Sequence, residues 1–175
     1  MPATYEPIAT VTLGSNQGAY TFSSIPQTYT DLRLTIRGGF VDNGFMFGVR
    51  FGSNNTLDTS SNYSYTFGRG ASSTSSAGKK TNMVLGTLNA QGINNLNNVI
   101  VTDINNYSNT SYNKGWLSYG TSYEDGINIV AGYWRSTGAI NIISVSESGD
   151  GGSGSFNYGN MLANTTITLF GIKAA

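Results

Sequence analysis

Apolar and polar residues alternate with a period of two along much of this chain. The clearest stretch is Asp31-Leu32-Arg33-Leu34-Thr35-Ile36-Arg37, with Leu32, Leu34 and Ile36 on one side and charged or hydroxyl residues on the other. That is the pattern of a half-buried antiparallel strand. Phe45 to Phe51 repeats it, with Phe45, Phe47, Val49 and Phe51 on one face. Helical spacing would scatter these four around an axis. Tyr63, Tyr65 and Phe67 alternate with Ser64 and Thr66 and predict a further strand.

Shorter runs predict strands over 8–13, 19–22, 81–88, 98–105, 114–121 and 127–134. Ile8 and Leu13 anchor the first. The turn Gly14-Ser15-Asn16-Gln17-Gly18 joins it to the second as an expected hairpin. Near the C-terminus, Trp134 to Val145 and Asn164 to Ala175 are β-branched runs around a Gly/Ser loop at 146–155. They predict two neighbouring strands, the last tied into a sheet and closing the fold, because free ends fray. Residues 69–80 are also Gly/Ser-rich and read as a flexible surface loop. Turn-rich stretches lie at 54–61, 89–97 and 106–113, and Glu124-Asp125-Gly126 is a tight-turn signal. The sum is about nine to ten short strands at roughly ten-residue spacing, with no amphipathic helix. The expected fold is an all-β, jelly-roll-like antiparallel β-sandwich, one domain over residues 1–175.

Composition changes this picture in one respect. Charged residues are only 10% and net charge is zero, while Gly, Ser, Thr and Asn fill roughly half the chain. Disorder does not fit, because aromatics reach 12% and there is no charge excess. A surface this poor in charge suits a subunit of an assembly better than a free monomer. The same balance gives no case for nucleic acid; Lys79-Lys80 is too small a basic spot. No apolar run approaches the ~20 residues that span a bilayer. Met1 to Pro7 lacks the features of a secretion signal, so synthesis in a cytosol is expected.

The chain has no histidine and no cysteine. That removes Ser-His-Asp and Cys-His nucleophile systems and the usual zinc ligands. Paired carboxylates remain open to an enzyme, but Asp42, Asp58, Glu124, Asp125, Glu147 and Asp150 fall in predicted turns and read as solvated surface. Ser146 to Gly154 offers only Glu147 and Asp150 to a cation, fewer charged oxygens than a calcium loop supplies. Gly149-Asp150-Gly151-Gly152 lacks the Lys and the helix of a phosphate loop. No cofactor and no metal is expected. The eleven tyrosines and two tryptophans could line a sugar platform, or serve core and subunit interfaces. Trp134 beside Arg135 suggests a cation–π contact or a wedge between sheets. Sequons at Asn54, Asn62, Asn106, Asn109 and Asn164 reflect Asn, Ser and Thr abundance.

Several blocks are longer than a motif. They are Tyr5-Glu6-Pro7-Ile8-Ala9-Thr10, Thr12-Leu13-Gly14-Ser15, the run Thr21 to Leu32, Asn62-Tyr63-Ser64-Tyr65-Thr66, Trp134-Arg135-Ser136-Thr137-Gly138-Ala139-Ile140 and Phe170-Gly171-Ile172-Lys173-Ala174-Ala175. Together they resemble a family of tailed-phage structural proteins frequent in aquatic and cyanobacterial viruses. The resemblance implies a virion β-sandwich without catalysis. It would be a capsid cement or decoration protein on the outer shell, with the major capsid protein and its own copies, as a homotrimer, as partners. A tail-fibre or receptor-binding head gripping host glycan is the alternative it implies. Tyr5, Trp134, Arg135, Phe170 and Lys173 lie in these blocks and are expected to be structural or interface residues.

Overall fold

The computed structural model describes residues 4–41, 46–70, 75–83, 85–88, 96–122, 126–148 and 156–173. Among them are thirteen strands: β1 (Thr4–Thr12), β2 (Ala19–Phe22), β3 (Asp31–Gly38), β4 (Met46–Ser53), β5 (Thr56–Leu57), β6 (Tyr63–Gly70), β7 (Ser75–Met83), β8 (Gly86–Thr87), β9 (Asn98–Ile104), β10 (Lys114–Ser122), β11 (Gly126–Trp134), β12 (Ile142–Ser148) and β13 (Thr166–Lys173). They form an eight-stranded sheet, β1-β13-β3-β9-β10-β11-β6-β7, and a five-stranded sheet that holds β2-β12-β4-β5 with β8 on β4. Every pairing is antiparallel. The all-β antiparallel sandwich expected from the alternation is therefore present.

The core lies between the sheets. Leu32, Leu34 and Ile36 of β3 point into it as their spacing predicts, beside Ile167 and Leu169 of β13. Farther along the sheet the filling turns aromatic. Trp134 stacks on Tyr63, 6.4 Å between centroids, and Phe51 of the small sheet meets Trp116 edge-on at 5.6 Å. Trp116 fits because two glycines make room. A Cβ on Gly132 would lie 1.9 Å from its ring, and one on Gly86 2.6 Å.

The sequence pattern misleads about partners. β12 and β13 are not neighbours: β12 sits in the small sheet between β2 and β4, and β13 in the large sheet between β1 and β3. β13 is thus an interior strand, not a closing one. β1 and β2 do not form a hairpin either, because β1 pairs with β13 and β2 with β12. Alternation reports which side of a strand is buried, not which strand lies beside it. The loop expected over 69–80 is largely strand. β6 runs to Gly70, and Ser75–Met83 pairs with it as an edge. Ladder hydrogen bonds use backbone groups, so a Gly/Ser composition does not prevent them. Of the 146–155 loop, 146–148 belong to β12, and 149–155 lie outside the described residues, as do Phe45, Asp42, residues 89–95, Glu124, Asp125 and both chain ends.

The two sheets are dressed differently. Every residue of β12 is buried. Its outward side is covered by the chain from Phe156 onward, which bridges Ser148 and places the Phe156 ring 4.4 Å from the Arg50 guanidinium. The large sheet carries no such cover among the described residues. Its edges are blunted instead. β1 holds Pro7 beside a register shift, and β7 exposes Lys79 and Lys80. Proline, bulges and lysines at an edge oppose pairing with another chain's strand.

Candidate interaction face

The outward side of the large sheet can be read row by row from its register. One row crosses the sheet as Pro7, Phe170, Arg33, Asp103, Leu117, Ala131, Thr66 and Lys79. The next is Thr10, Thr168, Thr35, Val101, Tyr119, Ile129, Gly68 and Ala77. A third holds Thr12, Thr166, Arg37, Val99, Thr121, Ile127 and Gly70. The middle of the sheet is apolar and bare: Val99 is 45% exposed, Leu117 45%, Tyr119 41%, Ile127 63% and Ile129 51%. Val99, Val101, Tyr119, Gly120, Thr121, Ile127 and Ile129 line a shallow groove of ≈ 490 Å³ there. Tyr133, 47% exposed, continues the strip along β11. Scattered apolar residues on a surface are normal, but a contiguous strip marks a contact site.

Its flanks are polar. Arg33 clamps Asp103 through two hydrogen bonds of 2.6 and 2.8 Å. Those bonds raise the guanidinium above its usual range, against the opposite pull of burial. On the other flank Lys79 lies exposed on β7.

The five residues singled out from the sequence do not gather at this strip. Tyr5 lies on edge strand β1, 51% exposed, with the Arg33 guanidinium 4.9 Å from its ring. Phe170 points outward, half-buried, between Pro7 and Arg33. Lys173 donates to Glu6 at 2.8 Å and stands 5.5 Å from the Tyr29 ring. Hydrogen bonds from Lys173 and Tyr29 hold the Glu6 carboxyl below its usual value. Trp134 is a core residue, and its Nε1 donates to Asp58 Oδ2 at 2.7 Å. Arg135 donates to Ser64 Oγ and to the Ser61 carbonyl. Its guanidinium thus ties the end of β11 to the start of β6.

Glu147, expected on a solvated turn, is instead a fully buried residue of β12, because the strand runs on to Ser148. Three other acidic groups are engaged structurally. Burial alone would raise Asp58, but hydrogen bonds from Ser60, Asn62 and Trp134 outweigh it and hold the carboxyl below its usual value. Asp103 is held by Arg33, and Glu6 by Lys173 and Tyr29. Lys114 is buried at one end of the sandwich, donates to the carbonyls of Tyr112 and Thr137, and has its pKa lowered by burial.

The strip was not singled out from sequence, though a signal exists. Val99-Ile100-Val101 and Ile127-Asn128-Ile129-Val130 place apolar residues on both sides of a strand. In a two-layer sandwich one of those sides must face out.

No family model matches the chain, and no curated protein matches its sequence. Among solved structures it is similar to a human SPRY domain, with a TM-score of 0.34 and 11% identity over 95% of this chain and 96% of that one. It is also similar to scytalido-glutamic peptidase with a transition state analog inhibitor, with a TM-score of 0.30 and 11% identity over 89% and 75%. Likenesses this distant carry no functional weight.

Proposed function

We propose that this chain is a non-enzymatic structural subunit of a phage virion, of the capsid-decoration type, acting by docking and not by catalysis. The observation that carries the reading is the bare apolar strip on a sheet whose edges are blunted. Such a surface favours contact through a face, with a core-and-rim character suited to another protein. The virion setting rests on the sequence blocks. Their placement agrees with a role in building the fold: the β1 block pairs with the Phe170–Lys173 block, and Tyr63 of the Asn62–Thr66 block pairs with Trp134.

The mechanism is linkage. A subunit that binds only the assembled shell stabilises it by mass action, and many identical sites add up modest contacts. Purified chain mixed with assembled shells lacking it should co-sediment and raise their disassembly temperature. Copy number per virion provides the second measurement. Hundreds of copies agree with decoration; a few copies sink it and favour the tail-borne alternative.

A further inference from the structure

We propose that two copies of this chain pair face to face through the large sheet, about a two-fold axis running along β11. This rests on reading the strip as an assembly surface, and it names the occupant.

The register supplies the argument. A two-fold axis parallel to the strands preserves height along them, so each outward row meets itself read in the opposite direction. β11 then lies on β11, β10 on β6 and β9 on β7. Ile127 and Ile129 fall on the axis and meet their own copies. Tyr119 falls on Gly68, two places away across β11, and Thr121 falls on Gly70. Among the described residues, chain neighbours aside, no atom lies within 4 Å of where either Cβ would stand, so each glycine leaves a dimple in the outward row. Val101 meets Ala77, bulk against a small residue. Asp103 meets Lys79, which adds a second cation to a carboxylate already held by Arg33. Large residues thus lie opposite small ones and the unlike charges meet. An axis along β10 would instead set Tyr119 on its own copy and Lys79 over Phe170. Aligned sheets cross at about 30°, which tilts the axis about 15° from β11, so the match is tightest at Ile129 and loosens toward the rim.

The area is adequate. Five strands at ~4.8 Å spacing and about eight residues at ~3.4 Å give roughly 650 Å² per copy, or about 1,300 Å² for the pair. That is inside the ~1,200–2,000 Å² of specific interfaces, at its lower end. β3, β13 and β1 overhang the contact, and their outward residues are mostly threonines, with Pro7, Phe170, Arg33 and Arg37. An isologous pair of this kind replaces the threefold ring that the resemblance implies.

Because the chain has no cysteine, Ile129→Cys and Thr168→Cys each give a protein with a single thiol. Under mild oxidation the Ile129→Cys dimer should form at least about tenfold faster, since residues on an axis share a raised local concentration. Sedimentation equilibrium should show a dimer for the parent chain and a monomer for Ile129→Asp, and diluted below the dimer constant, where the pair no longer adds stability, the two should unfold at nearly the same midpoint because Ile129 is exposed. Lys79→Glu should weaken the pair by about two- to fivefold at low salt. Equal crosslinking rates, or a parent chain that stays monomeric, overturn the pair. A monomer that still binds shells would overturn the pair and leave the decoration reading standing. A dimer that ignores shells would uphold the pair and sink that reading.

Discussion

The large sheet has two halves that share one backbone and differ in what they carry. On β1, β13 and β3 two of the three outward rows hold Thr10, Thr12, Thr166, Thr168, Thr35 and Arg37, and the third Pro7, Phe170 and Arg33; on β9, β10 and β11 the rows hold chiefly Val99, Val101, Leu117, Tyr119, Ile127 and Ile129. The inward side changes one strand later, because β9 still buries Ile100 and Ile104. Leu32, Leu34, Ile36, Ile167 and Leu169 lie beneath the threonines, and Trp116, Trp134 and Tyr63 beneath or beside the apolar strip. Threonine keeps a β-branched stem for the strand and gives water a hydroxyl. Its hydroxyls also pair across strands, Thr10 with Thr168 at 3.1 Å and Thr12 with Thr166 at 3.0 Å. The threonine half is therefore complete as it stands. The apolar half has the same geometry without that provision, which is the difference between a solvated face and a docking face.

The largest effect should separate the two inner layers. Trp134→Ala removes a ring packed on Tyr63 and Phe51 and also its bond to Asp58. It should cost about 4–5 kcal/mol, against about 3 kcal/mol for Leu34→Ala. Urea unfolding of both variants measures this. A reversed order would mean that the aromatic layer is not what holds the apolar half.

Next is the carboxylate under that layer. Asp58→Ala leaves the buried Trp134 Nε1 without its acceptor and should cost about 1–3 kcal/mol. The folded carboxyl is held below its ordinary 3.8, so its stabilisation is fully present above that value and is lost as pH falls through the lower folded one. Asp58→Asn should flatten the acid limb of a stability-against-pH curve below pH 3.8, while Glu6→Gln, on the threonine half, leaves the Trp134 environment unchanged. Near-ultraviolet dichroism at falling pH checks both. Loss of the tryptophan signal at the same pH in the parent and Asp58→Asn would break the assignment.

Strand identities were legible because alternation is a local signal: Leu32, Leu34 and Ile36 each fell inside as their spacing requires. Strand neighbours were not, since nothing local in Ile142–Ser148 says that it belongs with β2 and β4 across the core from β13. The Ser75–Met83 edge was hidden by composition, because a strand held through its backbone needs little from its side chains. Trp134 and Arg135 were visible as fold-builders, but their partner Asp58 read as a solvated turn acid. The docking strip was readable only in combination. A doubly apolar strand such as β11 becomes a surface signal once it is known to stand in a sheet with one open side.

The seam itself should respond modestly. Arg33→Ala leaves Asp103 partly exposed and should cost at most about 1 kcal/mol, fading at high salt. It should matter more to self-association than to folding, because Asp103 then faces Lys79 of the copy without its intramolecular partner. Sedimentation at two salt concentrations reads this. A stability loss well above 1 kcal/mol would make the pair a core element and not a boundary.

The smallest effect is the sharpest test of the halves. Thr168→Val gives up one exposed hydroxyl pair and gains β-branched apolar surface, so its stability should stay within about 0.5 kcal/mol of the parent. Val101→Thr, on the same row but across the seam, should be equally small in unfolding. The two should part in association. Thr168 overhangs the proposed pair and its replacement leaves dimerisation unchanged, whereas Val101 lies opposite Ala77 and its hydroxyl variant weakens it. If Thr168→Val shifts the dimer constant as much as Val101→Thr does, the contact covers the whole face. The division between the halves would then reflect core packing alone.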